Sequence, residues 1–237
     1  MRAWIRRPVA AALGVLVLAA ALWWLSPLLF RAADRIDGGA LYRVPGADST
    51  VALTIDDAPS RDGTREILRV LDEHGARATF FVIGRRAARH PALVEEMIRA
   101  GHGLGHHMWR DERSLGLDAA VFERRLVRTD SLLDRFGGGG TRWLRTGGGL
   151  YSSSMRRTAR RHGYRIVLGD VYPFDPAVRW PLLTATMILA WVEPGSIVIL
   201  HDGEGRAART AEVLRRILPA LERRGLEVVT LDELVER

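Results

Sequence analysis

From residue 51 onward the chain alternates short apolar runs with amphipathic ones, and this alternation restricts the fold more than any other feature. Strand-like runs fall at residues 51–55, 78–83, 103–106, 143–145, 164–168, 196–200 and 226–230. Helical spacing fills the intervals. Ile67, Leu68, Val70 and Leu71 mark the first helix (65–74), followed by Gly75 at a position suited to a left-handed stop. Pro91 suits a first helical position, with Leu93, Val94, Met97 and Ile98 forming the inner stripe. Further helices are expected over residues 118–136, 152–162, 182–191 and 210–224, with a last one after Leu231. Regular strand–helix alternation predicts an α/β fold with a parallel sheet and helices outside it. Polar residues at several strand ends predict a distorted (β/α) barrel of about seven parallel strands. No Gly-x-Gly-x-x-Gly opens the first helix, which argues against a dinucleotide fold. There is no internal repeat.

The first thirty residues follow a different rule. Val9 to Phe30 carries no charge and is built mostly from Ala, Leu, Val and Trp. At ~1.5 Å per residue it is long enough for a ~30 Å hydrocarbon core. Arg2, Arg6 and Arg7 precede it and favour a cytoplasmic N-terminus. The run continues beyond the small residues Ala19 to Ala21, so an uncleaved signal-anchor is preferred over a cleaved signal peptide. The expected organisation is a transmembrane segment (1–30), a tether (31–48) containing Gly38-Gly39 and Pro45-Gly46, and an extracytoplasmic catalytic domain (49–237). The net charge of +7 comes entirely from arginines scattered among acids on helical faces, so no nucleic-acid partner is expected. With no cysteine there is neither a disulfide framework nor a thiolate metal site.

Three strand ends carry chemistry. The run 51–55 leads into Asp56-Asp57, which Pro59 follows, and Ser60 or Thr64 is positioned to cap the next helix. Alternation would send adjacent aspartates to opposite faces, a constraint that relaxes where a strand ends. Gly101-His102-Gly103-Leu104-Gly105-His106-His107 places three histidines in six residues. His107 and Asp111, four apart, are spaced to share a metal ion, while His102 suits support of the loop and His106 is assigned no role. The last apolar strand ends in His201-Asp202, where a histidine is an ordinary acid–base candidate. Taken singly, each site is as readily a solvated turn or a hydrogen-bonded strand end; their combination is what points to a site. No nucleophile elbow is present, which argues against a serine hydrolase.

Thr54-Ile55-Asp56-Asp57-Ala58-Pro59-Ser60, Gly101 to His107, Trp143-Leu144-Arg145 and Ile199-Leu200-His201-Asp202 occur in an order that resembles the polysaccharide deacetylases with a NodB homology domain, carbohydrate esterase family 4. The resemblance covers roughly Ser49 to Arg237. It implies Asp56 as general base, His201 as general acid, Arg145 holding the base, and Asp175 (with Asp170 second) orienting the histidine. It also implies a divalent metal ion, zinc with cobalt or manganese as alternatives, on Asp57, His107 and Asp111. The family has histidine at the position of Asp111, and a carboxylate there favours harder ions. Thr146 and Gly147 stand where the family has prolines. Leu200 is implied in the acetyl-methyl pocket, the N–H groups of Gly147 or Gly148 in oxyanion binding, and Tyr172 in substrate contact.

The implied activity is removal of N-acetyl groups from a glycan containing N-acetylglucosamine, peptidoglycan or chitin-like, outside the cytoplasm. The alternatives are an O-acetyl esterase or lipid-linked-sugar deformylase on the same fold, or a catalytically weak glycan-binding homologue.

Overall fold

A computed structural model describes residues 25–137, 141–203 and 205–236. Eight parallel strands form one sheet: β1 Ala40–Leu41, β2 Thr50–Ala58, β3 Thr79–Val82, β4 Gly103–His106, β5 Trp143–Leu144, β6 Arg165–Val167, β7 Ile197–His201 and β8 Glu227–Val229. Their order is β1-β6-β5-β4-β3-β2-β7, with β8 paired to the beginning of β2. Isolated bridges join Arg43, just after β1, to Ser196, just before β7, and Val171 to Val198 of β7.

Nine helices are described: α1 Ser26–Asp37, α2 Thr64–Glu73, α3 Gly84–Arg89, α4 Pro91–Arg99, α5 Ala119–Leu133, α6 Ser153–Arg161, α7 Pro181–Trp191, α8 Ala207–Arg223 and α9 Leu231–Glu236. Pro91 sits at the start of α4, and Gly75 follows α2 in the left-handed region. Asp118 caps α5 by accepting from the N–H groups of Ala120 and Val121. Neither Ser60 nor Thr64 caps α2. Its N-cap is Gly63, and both hydroxyls bond the buried Asp202 carboxylate, tying β7 to the loop after β2.

The period of two along each strand divides the interior into two cores. Val51, Leu53 and Ile55 on β2, with Val198 and Leu200 on β7, pack outward against α2, α7 and α8. The alternate residues Ala52 and Ile197 join Leu41, Phe81, Trp143 and Val167 in an inner layer, closed below by Leu231 and Leu234 of α9. Further along the same strands the inner face becomes polar, at Asp56 four positions beyond Ala52, His201 four beyond Ile197 and Arg145 two beyond Trp143. An apolar floor beneath a polar mouth therefore follows from strand parity.

Residues 31–48 do not form a simple tether. They contribute part of α1 and the edge strand β1, whose Ala40 and Leu41 are buried, and Val44 N–H donates to the Gly195 carbonyl. A two-residue strand carries too little periodicity to register in the sequence. The apolar run up to Trp24 lies outside the described residues; among the described residues no helix is long and apolar enough to cross a membrane.

Candidate active site

The paired aspartates reach one cleft because β2 carries a bulge. Ile55 pairs with Phe80 and Ala58 with Val82, so β2 inserts one extra residue at Asp56-Asp57. Asp57 takes up the extra length with φ of 67°, a left-handed backbone that a non-glycine residue seldom adopts. Met108 after His107 (φ 61°) and Phe174 before Asp175 (φ 55°) share that conformation. Three such residues, each next to a predicted site residue, are backbone strain concentrated at one mouth.

Asp56 is buried, and its Oδ1 accepts from Arg145 Nη1 at 2.6 Å. Arg145, 2% exposed, also donates to Thr54 Oγ1 and to the Val167 carbonyl, and lies over the Phe81 ring. Asp56 and His201 are register partners on adjacent strands, with His201 Nε2 3.9 Å from Asp56 Oδ2. On its other side His201 Nδ1 lies 2.9 Å from Asp175 Oδ1, while the His201 backbone N–H donates to Asp175 Oδ2. Burial opposes the imidazolium, but the Asp175 carboxylate, reinforced by Asp56 and Asp57, outweighs it and pushes His201 up to about 9. Asp175 thus holds the histidine. Asp170 instead accepts from Ile197 N–H and Ser196 Oγ and pairs with Arg31.

His107 Nδ1 lies 2.7 Å from the Arg145 carbonyl; a carbonyl only accepts, so Nδ1 carries the proton. Its Nε2 points at Asp57 Oδ1, 3.5 Å away. Burial disfavours the charged ring, but Asp56 and Asp57 outweigh it and raise His107 above the ordinary histidine value. Burial likewise opposes ionisation of Asp57, but the hydrogen bond and charge of His107, with His201 and Arg206 adding, hold it well below the usual carboxylate range.

These residues line a cleft of about 610 Å³. Tyr172, Phe174, Ile199 and Leu168 form one wall, Thr146 to Leu150 another, and Phe30 of α1 closes a side. Burial, reinforced by Asp175, Asp56 and Asp57, pushes the Tyr172 phenol up to about 12 and keeps it a donor. Arg145 Nη2 and Thr146 Oγ1 are buried without a hydrogen-bond partner. Their residues line the cleft, so it suits a ligand rich in polar groups.

Residues 43–167 match the polysaccharide deacetylase family model. A peptidoglycan-N-acetylglucosamine deacetylase of Bacillus cereus is 30% identical over 220 residues, 88% of this chain and 98% of the relative. A chitooligosaccharide deacetylase of Bradyrhizobium sp. is 32% identical over 197 residues, 78% of this chain and 90% of the relative. The chain belongs to the polysaccharide deacetylase family. A solved peptidoglycan N-acetylglucosamine deacetylase shares the fold, with a TM-score of 0.81 at 24% identity over 86% of this chain and 96% of the other. The polysaccharide deacetylase assignment makes this protein an enzyme, a hydrolase. Asp175 and His201 lie beyond the matched stretch, and the fold brings them to Asp56.

Three expectations change with the structure. Asp111 does not join Asp57 and His107; its side chain is half exposed and pairs with Arg86 Nη2 at 2.9 Å. Among the described residues no three His, Asp or Glu side chains are gathered closely enough to hold one ion. Leu200 does not line the cleft, because it shares the outward parity of Val198 and is fully buried in the helix-facing core. Ile199, of the opposite parity, lines the cleft instead. The Gly147 N–H is already donated to Ser114 Oγ, and that of Gly149 to the Thr146 carbonyl, so neither N–H is open to an oxyanion. Gly147 has no room for a side chain, since a Cβ would fall 1.9 Å from the Glu112 carbonyl oxygen.

His102 and His106 support the structure. His102 Nδ1 accepts from Ala78 N–H, and His106 bridges Met108 N–H and the Leu126 carbonyl. Burial pushes both down to about 4. The glycine spacing around them is steric: a Cβ on Gly105 would lie 2.6 Å from the Phe81 ring that fills the inner layer. Sequence reading missed Arg206, Arg86, Phe30 and Phe174. Only the alternation that exchanges Ile199 for Leu200 was recoverable from the chain itself, by counting back from His201.

Parity predicts opposite effects for neighbours. Leu200→Ala is expected to lower stability by about 2–5 kcal/mol with KM little changed. Ile199→Ala is expected to change KM with a much smaller loss of stability. Denaturant melts and steady-state kinetics on the two variants check this.

Proposed function

We propose that this polysaccharide deacetylase removes N-acetyl groups from a glycan containing N-acetylglucosamine, peptidoglycan or chitin-like, outside the cytoplasm. The observation that carries the reading is the pair Asp56 and His201. They sit 3.9 Å apart at one end of the cleft, one clamped by Arg145 and the other by Asp175. Hydrolysing an amide needs a base for water and an acid for the amine. With Oδ1 held by Arg145, Asp56 has Oδ2 turned toward His201 and the cleft, placed to take a proton from water. His201, its proton stabilised by Asp175, is placed to give one to the nitrogen as the C–N bond breaks. The N–H of Gly148 is a backbone donor for the carbonyl oxygen.

The donor chemistry fits a divalent cation at two positions, Asp57 Oδ1 and His107 Nε2, the second presented by the Nδ1–H bond to Arg145. With Asp111 as a third donor these residues would hold such an ion, zinc being the natural choice, which when bound polarises a carbonyl and acidifies water.

The Val9 to Phe30 run after Arg2, Arg6 and Arg7 supports a membrane anchor, and the helix that continues it places Phe30 in the cleft wall. The bridges across the sheet's ends support a distorted barrel. A catalytically weak, glycan-binding homologue is the second reading, favoured by the arginines paired with Asp57 and Asp111. Acetate release from N-acetylchitooligosaccharides and peptidoglycan, compared with acetylated xylan, tests the proposal. Release from the first two supports it. Release from xylan alone replaces it with an esterase, and binding without release leaves the second reading.

A further inference from the structure

Each carboxylate expected to work around the cation already faces its own arginine. Asp56 pairs with Arg145 at 2.6 Å, Asp57 Oδ2 with Arg206 Nη1 at 3.0 Å, and Asp111 with Arg86 at 2.9 Å. Arg86 also donates to the Asp57 backbone carbonyl, so it ties the Asp111 carboxylate to the main chain beside Asp57. Arg206 comes from the segment between β7 and α8, Arg86 from α3, and the two guanidiniums flank Gly203, each within 3.4 Å of where a Cβ would stand. Three carboxylates against three guanidiniums make the cluster neutral before any ion arrives. A dication would leave it at +2 unless an arginine gives way. The Asp57 side chain is only 6% exposed, so water does little to screen its pair with Arg206.

We propose that Arg206 and Arg86 are built-in competitors for the divalent cation. Arg206 occupies Asp57, Arg86 withholds Asp111, and an ion binds only by displacing Arg206, with Asp111 recruited when Arg86 releases it. The proposal rests on reading Asp57 and His107 as cation donors. It predicts weak divalent binding by the native chain and tighter binding when either arginine is removed.

The test is zinc titration by calorimetry on the full chain in detergent micelles, read as binding and not as turnover. Arg206→Gln is expected to tighten zinc by about tenfold or more, the scale of one ion pair of moderate strength. Arg86→Gln is expected to tighten it too, and Arg86→Gln combined with Asp111→Asn to lose that gain. Arg209→Gln, in the first turn of α8 and donating to the Gly205 carbonyl, controls for general charge and is expected to change little. Asp57→Asn in the Arg206→Gln background is expected to abolish the gain. Zinc affinity unchanged within twofold in both single arginine variants overturns the proposal, as does an equal gain in Arg209→Gln. If Arg206→Gln does not fold, Arg86→Gln alone decides. Acetate release separates the two readings. Tighter zinc without release defeats the deacetylase function and leaves the arginine competition standing, whereas release with unchanged affinity does the reverse.

Discussion

Replacing His201 by alanine is expected to lower kcat for glycan deacetylation by about 10²–10⁴-fold, the range for loss of a positioned acid. Zinc binding is expected to persist, because Asp57 and His107 lie on other elements. The pH profile carries the sharper signature. Asp175, Asp56 and Asp57 raise His201 to about 9 against the effect of burial, so the residue is charged at neutral pH and ready to donate. Turnover that needs this proton is expected to hold through the neutral range and fall as pH rises through about 9. Asp175→Asn removes the largest favourable influence and is expected to move that alkaline limb to lower pH. A kcat–pH profile with the limb unmoved would show that another group supplies the proton. The same shift acts on stability. The folded state binds the proton more tightly than the unfolded chain, so the contribution is fully present below the ordinary value near 6.5. It is lost as pH rises from there through about 9.

Arg145→Met is expected to give the largest loss of stability, about 3–5 kcal/mol, because it leaves the buried Asp56 carboxylate without its cation. The native arginine is 2% exposed and satisfies Asp56 and Thr54 of β2 and the Val167 carbonyl of β6. Arg69→Met is the contrast. Arg69 also sits between two carboxylates, Glu66 and Glu73, but in solvent on one helix face, so a much smaller change is expected. Urea midpoints for the two variants test the difference, and equal losses would mean that burial does not set the value of the Asp56 pair. Activity of Arg145→Met is expected to collapse as well, since Asp56 is then free to turn away from the cleft.

How much of this was legible beforehand depends on whether the determinant is local. The seven main strands, most of the helices and the residues at the strand ends follow from periodicity and punctuation, which a single segment carries by itself. Asp56, Asp57, His107, Arg145 and His201 could be named for that reason. The choice of Asp175 over Asp170 came from the family resemblance, and the geometry shows what each does: one residue holds His201, and the other ties Ser196 and Ile197. Leu200 was misplaced although strand parity was available, because its position in a motif was weighed above the alternation that governs which face it occupies.

The pairings between distant segments were not legible. The bulge that turns Asp57 inward shows only against the register of β3, and β1 is too short to have a period. Arg206 and Arg86 are two of 35 basic residues, and nothing in their neighbours marks them as partners of Asp57 and Asp111. The chain alone therefore determined the parallel α/β scaffold and which chemical groups stand at its strand ends, since hydrophobic period and chain order are properties of short segments. Only the tertiary structure decided which charge faces which, because an ion pair depends on distances between elements that the sequence separates widely, by 149 positions for Asp57 and Arg206.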